Sequence, residues 1–328
     1  MGEIRAIDII REERVKLVDQ ILKNMEKGYI FTPAQWNRAA MQPQNPLTQV
    51  FYKGGNKFKL MYAAIANEYD DPRWMTARQI RAAGFKILPE GKHSAVLLEK
   101  WIFDKEETRI NKETGKKEKV RVKLDMPRVS FFTVFNGKYV DGLISYREQH
   151  QKIGENFEMA DKLIATSECS VKEVAQPKAF YNVQNDEIIL PPRATFLNAD
   201  AFFSVAAHEM SHSTGHPSRL NRDLTNSFGS EEYAKEELRA ELGALFMESN
   251  LGIEIKEEHF QSHTNYLHSW MNVLKENPNE LYRAARDADA IAERLTNNYC
   301  KKYHLKREVK PVPTFGDPNR KRTRKAVR

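Results

Sequence analysis

Near the start of the chain, apolar positions recur every three to four residues. Val15, Val18, Ile21, Leu22 and Met25 share one face, which predicts an amphipathic helix over residues 11–26. Asn45-Pro46 and Gly54-Gly55 interrupt the pattern and read as loops. Leu60, Met61, Ala64 and Ile65 form the next helical stripe, within a helix over 57–69. A third helix starts at Thr76, which with Gln79 makes a capping box, and stops at Gly84. Strands are predicted over 95–103 and 129–135. The charge-dense stretch between them, 104–123, reads as a solvated hairpin or a mobile loop.

The second half is mostly helical. Helices are predicted over 153–165, 200–213, 231–250, 257–275 and 278–303. Residues 180–183 and 187–190 read as a β-hairpin around Asn185-Asp186, ended by Pro191-Pro192. Beyond Lys310 the chain is rich in Pro, Lys and Arg, and a disordered tail is expected. No internal repeat is present. The pattern gives an α+β chain of two domains. An α+β domain covers 1–148, a mainly helical domain with a small β-sheet covers 149–308, and a basic tail covers 309–328.

Size and charge support that division. A chain of 328 residues exceeds what one core usually serves. The net charge of +7 conceals an asymmetry. Residues 1–150 hold 27 Lys+Arg against 19 Asp+Glu, residues 151–300 hold 14 against 24, and residues 301–328 hold 11 against 2. Basic segments flanking an acidic one point to a nucleic-acid partner, although a basic surface also serves solubility. No run of eighteen apolar residues occurs, so no membrane span is expected. The charged N-terminus lacks a signal-peptide core, which argues for a cytoplasmic protein. Cys169 and Cys300 are expected to be reduced and structural.

The run His208-Glu209-Met210-Ser211-His212 is an HExxH motif. On a helix, residues four apart share a face, so both imidazoles reach one cation, and Glu209 approaches a water on that cation. The apolar residues before it, Phe202, Phe203, Val205, Ala206 and Ala207, suit a buried active-site helix. A catalytic zinc needs a third protein ligand and an open position. The helix over 234–247 supplies candidates, because Glu237 and Glu241 fall along its apolar face of Leu238, Leu242 and Leu245. Carboxylates there are costly unless they meet a cation or donors. Glu237 is taken as the third ligand and Glu241 as a carboxylate that orients a histidine, with the reverse assignment open. A charged surface helix is the plainer alternative, and Glu231, Glu232 and Glu236 are expected to be solvated. His216 is a rival ligand, but it stands eight residues after His208 rather than ten. The remaining histidines, His93, His150, His259, His263, His268 and His304, show no ligand spacing. Zinc is the expected metal, with Mn2+ or Co2+ as alternatives. With zinc bound, Glu209 would take a proton from the water and deliver it to the leaving amine of a peptide.

Single-stranded nucleic acid is held by cations along its backbone and by aromatic stacking. The segment with Tyr52, Lys53, Asn56, Lys57 and Lys59 interleaves aromatic, glycine and lysine residues in that style. Trp74 with Arg73, Arg78 and Arg81 is a second candidate surface, against which stands burial of Trp74 in the core. Cations over 320–328 would add affinity without sequence preference.

The stretch from His208 to Arg222, with Gly215, His216, Pro217 and Arg219 among its matching positions, resembles the ArdC-type antirestriction proteins of conjugative plasmids and mobile elements. The run from Phe228 to Phe246, through Glu237 and Glu241, continues the likeness. Ala179-Phe180-Tyr181, Asp186 to Pro192, Phe196, Trp270, Leu274 and the Ala-rich 284–292 extend it. In the first half, Gly55-Asn56, Asp71 to Thr76, Gln79, Gly84, Gly91 and Val134-Phe135-Asn136 look like the family's DNA-binding domain. The resemblance implies an N-terminal domain that binds single-stranded DNA and a C-terminal zincin-like metallopeptidase domain. It implies a role in protecting incoming DNA from host restriction, with a DNA-bound protein or a restriction enzyme as a further partner and transfer with DNA into a recipient cell. Ser213 stands where an aromatic residue commonly follows the second histidine, and Phe202-Phe203 stand where tyrosines are usual. Two other readings remain. One is a non-enzymatic protein that coats single-stranded DNA around a structural or vestigial zinc site. The other is a replication or primase accessory protein.

Overall fold

The computed structural model describes residues 5–29, 31, 42–110, 117–143, 146, 157–227, 229–253 and 267–305. Helix α1 (Ala6–Met25) buries Ile10, Leu17, Val18, Ile21, Leu22 and Met25 along one stripe. Val15, expected on that stripe, lies at the rim of the buried arc and is exposed. Strands β1 (Gln44–Asn45) and β2 (Val50–Phe51) pair antiparallel and lead into α2 (Gly54–Ala66). Gly54 and Gly55, expected in a loop, form the first turn of α2. The other half of the chain fixes this start. Asp289 accepts the Gly54 N–H, and a Cβ on Gly55 would come within 2.2 Å of the Tyr282 ring.

Strand β3 (Trp74–Thr76) runs into α3 (Ala77–Ala82). The Thr76–Gln79 capping box is formed, and the helix stops before Gly84, whose φ of +76° a side chain would oppose. Strand β4 (Lys86–Ile87) pairs with the later β7 (Val140–Asp141). Between them, β5 (Val96–Ile110) and β6 (Lys117–Asn136) make a long antiparallel ribbon whose base joins β3 in the order β3-β6-β5. The stretch 104–123 is the outer part of this ribbon. Past a bulge between Ile102 and Asp104, pairing continues from Asp104 opposite Lys123 to Ile110 opposite Lys117. Residues 111–116 lie outside the described residues, as do the tail and, Tyr146 apart, the junction expected near 145–155.

In the second half, α4 (Glu158–Ile164) covers the later part of the helix expected over 153–165. Strands β8 (Ser170–Glu173), β9 (Phe180–Asn182) and β10 (Glu187–Leu190) form a sheet in the order β8-β10-β9. The central strand β10 runs parallel to β8 and antiparallel to β9, and buries Ile188, Ile189 and Leu190. Asn198 caps α5 (Ala199–Ser213), and Ser230 caps α6 (Glu231–Leu251). Gly252 ends α6 in the left-handed conformation. Helices α7 (Leu267–Glu276) and α8 (Asn279–Lys302) follow, with the earlier part of the helix expected over 257–275 outside the described residues. Among the described residues no helix is long and apolar enough to cross a membrane. Cys169 and Cys300 are not disulfide-bonded.

One hydrophobic core runs through both halves. It extends from Leu17 and Phe58 through Leu98 and Val134 to Phe202, Phe246, Trp270 and Tyr299. Polar contacts reinforce it. Arg14 of α1 binds Glu99 of β5 and Asn279 of α8, and its guanidinium lies 4.3 Å from the centre of the Tyr282 ring. A shared core predicts that the two halves unfold in a single calorimetric transition. Gly55→Ala should destabilise the whole chain by about 1–3 kcal/mol through the clash with Tyr282. Separate melting of the halves, or an unshifted melting temperature in that variant, would contradict this account.

Candidate metal centre

Helices α5 and α6 pass each other at the HExxH turn. His208 and His212 lie one turn apart on α5, and their Nε2 atoms approach to 3.1 Å. The Glu237 carboxylate of α6 lies 3.5 Å from His208 Nε2 and 3.4 Å from His212 Nε2. A tetrahedral zinc with ligand bonds of about 2.0–2.1 Å would space its donors about 3.3–3.4 Å apart. The three side chains therefore already stand at the separation of donors around one small divalent cation, and together they form a group that could hold one.

The far edges of the imidazoles agree with this. His208 Nδ1 lies 3.4 Å from Glu241, and His212 Nδ1 lies 3.1 Å from Glu236. A carboxylate at Nδ1 holds a proton there, so that a cation entering the cluster would displace only the Nε2 proton and meet its lone pair, the tautomer a metal requires. Two histidines four residues apart thus meet two carboxylates five residues apart, in reverse order, because α5 and α6 run in opposite directions at this point. Glu236, expected to be solvated, is instead buried, and Arg222 grips it with Nε at 3.0 Å and Nη2 at 2.8 Å. Arg222 also donates to Thr214 Oγ1 and to the Ser211 carbonyl, which fixes it against the end of α5.

Charge follows from this packing. Burial lowers the pKa of His208, but hydrogen bonds to Glu237 and Glu241 outweigh it and raise the imidazole to about 9. His212 is likewise raised against burial, by the charge of Glu237 and the hydrogen bond to Glu236. Glu237 is held well below the usual carboxylate range, because the His212 and His208 charges overcome its burial. The cluster is thus a concentrated negative site that gathers positive charge. Burial raises Glu209, while the two imidazoles and the Tyr181 backbone N–H pull it the other way.

A cleft of about 210 Å³ opens onto the cluster, with Phe180 and Tyr181 of β9 and Leu224 and Tyr233 among its lining residues. Arg219 positions β9. It donates to the Ser213 carbonyl at 2.7 Å, to Asp186 and to the Tyr181 hydroxyl at 3.0 Å, and so ties the β9–β10 hairpin to the end of α5. His216 points elsewhere, with Nδ1 2.8 Å from Ser218 Oγ. His93, His268 and His304 are exposed. His150, His259 and His263 lie outside the described residues.

The residues expected to meet nucleic acid divide into two groups. Six are occupied internally, which corrects their expected exposure to a ligand. Trp74 is fully buried against Tyr69. Arg73 is buried in an ion pair with Asp71 at 2.6 Å. Lys57 is buried 4.2 Å from the centre of the Phe246 ring, with Nζ 3.4 Å from Asn250. Lys59 is buried and pairs with Glu13. Asn56 brackets the backbone of Glu99 through both amide atoms. Tyr52 donates to the Trp74 carbonyl. Lys53, Arg78 and Arg81 are exposed.

A buried pair of histidines and a glutamate beside HExxH, on two crossing helices next to a small sheet, defines the second half as a zincin-like domain. Residues 158–287 match the family model "Zincin-like metallopeptidase", and residues 11–135 match "N-terminal domain of anti-restriction factor ArdC". The crystal structure of the antirestriction ArdC protein from the R388 plasmid superposes in its metal-free form with a TM-score of 0.68. The identity is 29%, over 88% of this chain and 98% of that one. Its Mn(II)-bound form gives 0.67 at 28% identity, over 87% and 97%. The chain belongs to the ArdC type, with an ArdC N-terminal domain joined to a zincin-like metallopeptidase domain. Two Escherichia coli proteins named DNA primase TraC are 40% identical over 76% of this chain and 38% identical over 84% of it. The chain spans only 24% and 19% of their lengths. An uncharacterized protein, y4eC, of Sinorhizobium fredii (strain NBRC 101917 / NGR234) is 28% identical over 85% of this chain and 89% of its own length.

Glu237→Ala should abolish stoichiometric binding of a divalent ion, measured by calorimetry with Zn2+. Arg222→Ala, which frees Glu236 from its grip, should weaken binding by about 10–100-fold. Unchanged affinity in both variants would remove this cluster as the metal centre.

Proposed function

We propose that this chain is an antirestriction-type protein that binds single-stranded DNA and carries a zinc-dependent peptidase site, protecting incoming mobile-element DNA from host restriction. The observation that carries the peptidase reading is the donor set of His208, His212 and Glu237 beside Glu209, in a cleft bordered by an edge strand. The antirestriction reading is supported by the match along nearly the whole R388 ArdC chain.

The chemistry follows from the placement of side chains. Strand β9 is the edge of its sheet, so an extended peptide can add to it through main-chain hydrogen bonds. A bound divalent cation would polarise the scissile carbonyl and acidify a water. Glu209 lies one residue beyond the first ligand and lines the cleft, where burial raises its pKa and so lets it accept a proton more readily than in water. It takes the proton of the attacking water and returns it to the leaving amine. Glu236 and Glu241 hold the imidazoles in register throughout. The substrate on this reading is a DNA-bound protein or a restriction enzyme.

A second reading is coating of DNA around a structural metal site. It leaves Glu209 without a task, since a structural site needs no base. The partial match to TraC supports a third reading, a module that accompanies replication proteins, and priming itself is not proposed for this chain. Glu209→Gln separates the first two readings. Proteolysis should fall by about 10²–10⁴-fold while metal and DNA binding persist. Protection of DNA in a restriction assay should fall with it if hydrolysis protects, and should persist if coating does. Undiminished proteolysis by Glu209→Gln would overturn the assignment of the base.

A further inference from the structure

The ribbon of β5 and β6 is unlike the rest of the surface. Six exposed large apolar side chains lie on it, namely Trp101, Ile102, Phe103, Ile110, Met126 and Phe131. Three are aromatic. Glu99 pairs with Phe131 and Trp101 with Val129, so Trp101 and Phe131 are diagonal neighbours on one face. Phe103 follows two residues on, at the bulge, and is 54% exposed. The Trp101 indole N–H donates to Glu99 at 2.9 Å, which pins the ring.

Further out, Lys117, Lys119, Arg121 and Lys123 alternate along β6, and all four are exposed. Alternate residues of a strand point to one face about 6.8 Å apart, close to the spacing of successive phosphates on an extended strand. The acids on that face are Glu106, 3.5 Å from Lys119, and Asp104, opposite Lys123. The row remains net positive. Of residues 103–110 and 117–128, only Glu107, Val120, Val122 and Leu124 are even half-buried. A two-stranded ribbon this open is marginal by itself and gains from a ligand laid along it.

We propose that this ribbon is the single-stranded-DNA-binding arm of the protein, with Trp101, Phe103 and Phe131 stacking bases and the β6 cations tracking phosphates. The proposal rests on the reading that the first half binds single-stranded DNA, and it moves the binding surface from the Tyr52–Lys59 and Arg73–Arg81 segments to the ribbon. Exposed rings near the base of the ribbon, with a row of cations further out along it, fit a strand whose base faces are free. A duplex hides those faces.

The test is fluorescence anisotropy of the full chain with labelled oligo(dT) and a duplex of equal length across a salt series. The triple variant Trp101→Ala, Phe103→Ala, Phe131→Ala should weaken single-strand binding about tenfold or more per ring and leave the salt slope unchanged. Changing Lys117, Lys119, Arg121 and Lys123 to Gln should flatten the slope by about 0.7 for each phosphate that is no longer neutralised. Arg78→Gln with Arg81→Gln should do neither. Unshifted melting temperature and metal stoichiometry in each variant confirm the fold. Wild-type affinity and slope in both arm variants would overturn the arm and leave DNA binding by the first half intact. No binding by the wild type would overturn both. Loss of self-association in the aromatic variant, with unchanged DNA affinity, would make the ribbon a protein interface and overturn the proposal.

Discussion

Three carboxylates enclosed on one helix set the terms for this molecule. Glu236, Glu237 and Glu241 all lie inside on α6, where an uncompensated charge is strongly unfavourable. Each finds a positive or proton-bearing partner on α5 or in the segment after it, and that requirement fixes how the two helices cross. A shift of one residue along either helix would set an imidazole against leucine and leave a carboxylate in apolar surroundings. The crossing in turn places the β9–β10 hairpin, because Arg219 and Arg222 both anchor to the end of α5 while holding acids of the hairpin and of α6.

The same helix α6 reaches the other half of the chain. About one and a half turns beyond Glu241, Phe246, and a turn later Asn250, receive the buried ammonium of Lys57 from α2. On the same face Gly243 lets α8 approach so closely that a Cβ would stand 2.7 Å from Ile291. A candidate metal ligand, Glu237, and contacts between the two halves therefore share one helix.

Much of this is legible in the sequence where local rules dominate. The Thr76–Gln79 cap, the hairpin around Asn185-Asp186 and the HExxH helix depend on residues close in sequence, and they form where spacing places them. Glu237 and Glu241 stand out because acids on an apolar stripe demand a reason. Glu236 does not, since it sits among Glu231 and Glu232 and its partners, His212 and Arg222, come from elsewhere in the chain. Lys57 and Trp74 mislead for the converse reason. Lysine and tryptophan look the same in sequence whether they meet a ligand or fill a joint, and here Phe246 and Tyr69 claim them. The first turn of α2 is unreadable because its two glycines are explained by Asp289 and Tyr282, more than two hundred residues away.

That seam between α2 and α8 bears on how such a chain can be inherited. The start of α2 is completed by an acid from α8, and its second glycine is shaped to a tyrosine of α8. Recombination that exchanged one half for a distant homologue's would bring a mismatched joint, a missing cap or a colliding methyl group, even with the rest of each half intact. Selection would then favour transfer of the pair as a single cassette. The stretches that align with the TraC relatives, 259 and 285 residues, are longer than either half and so reach into both, within much longer proteins.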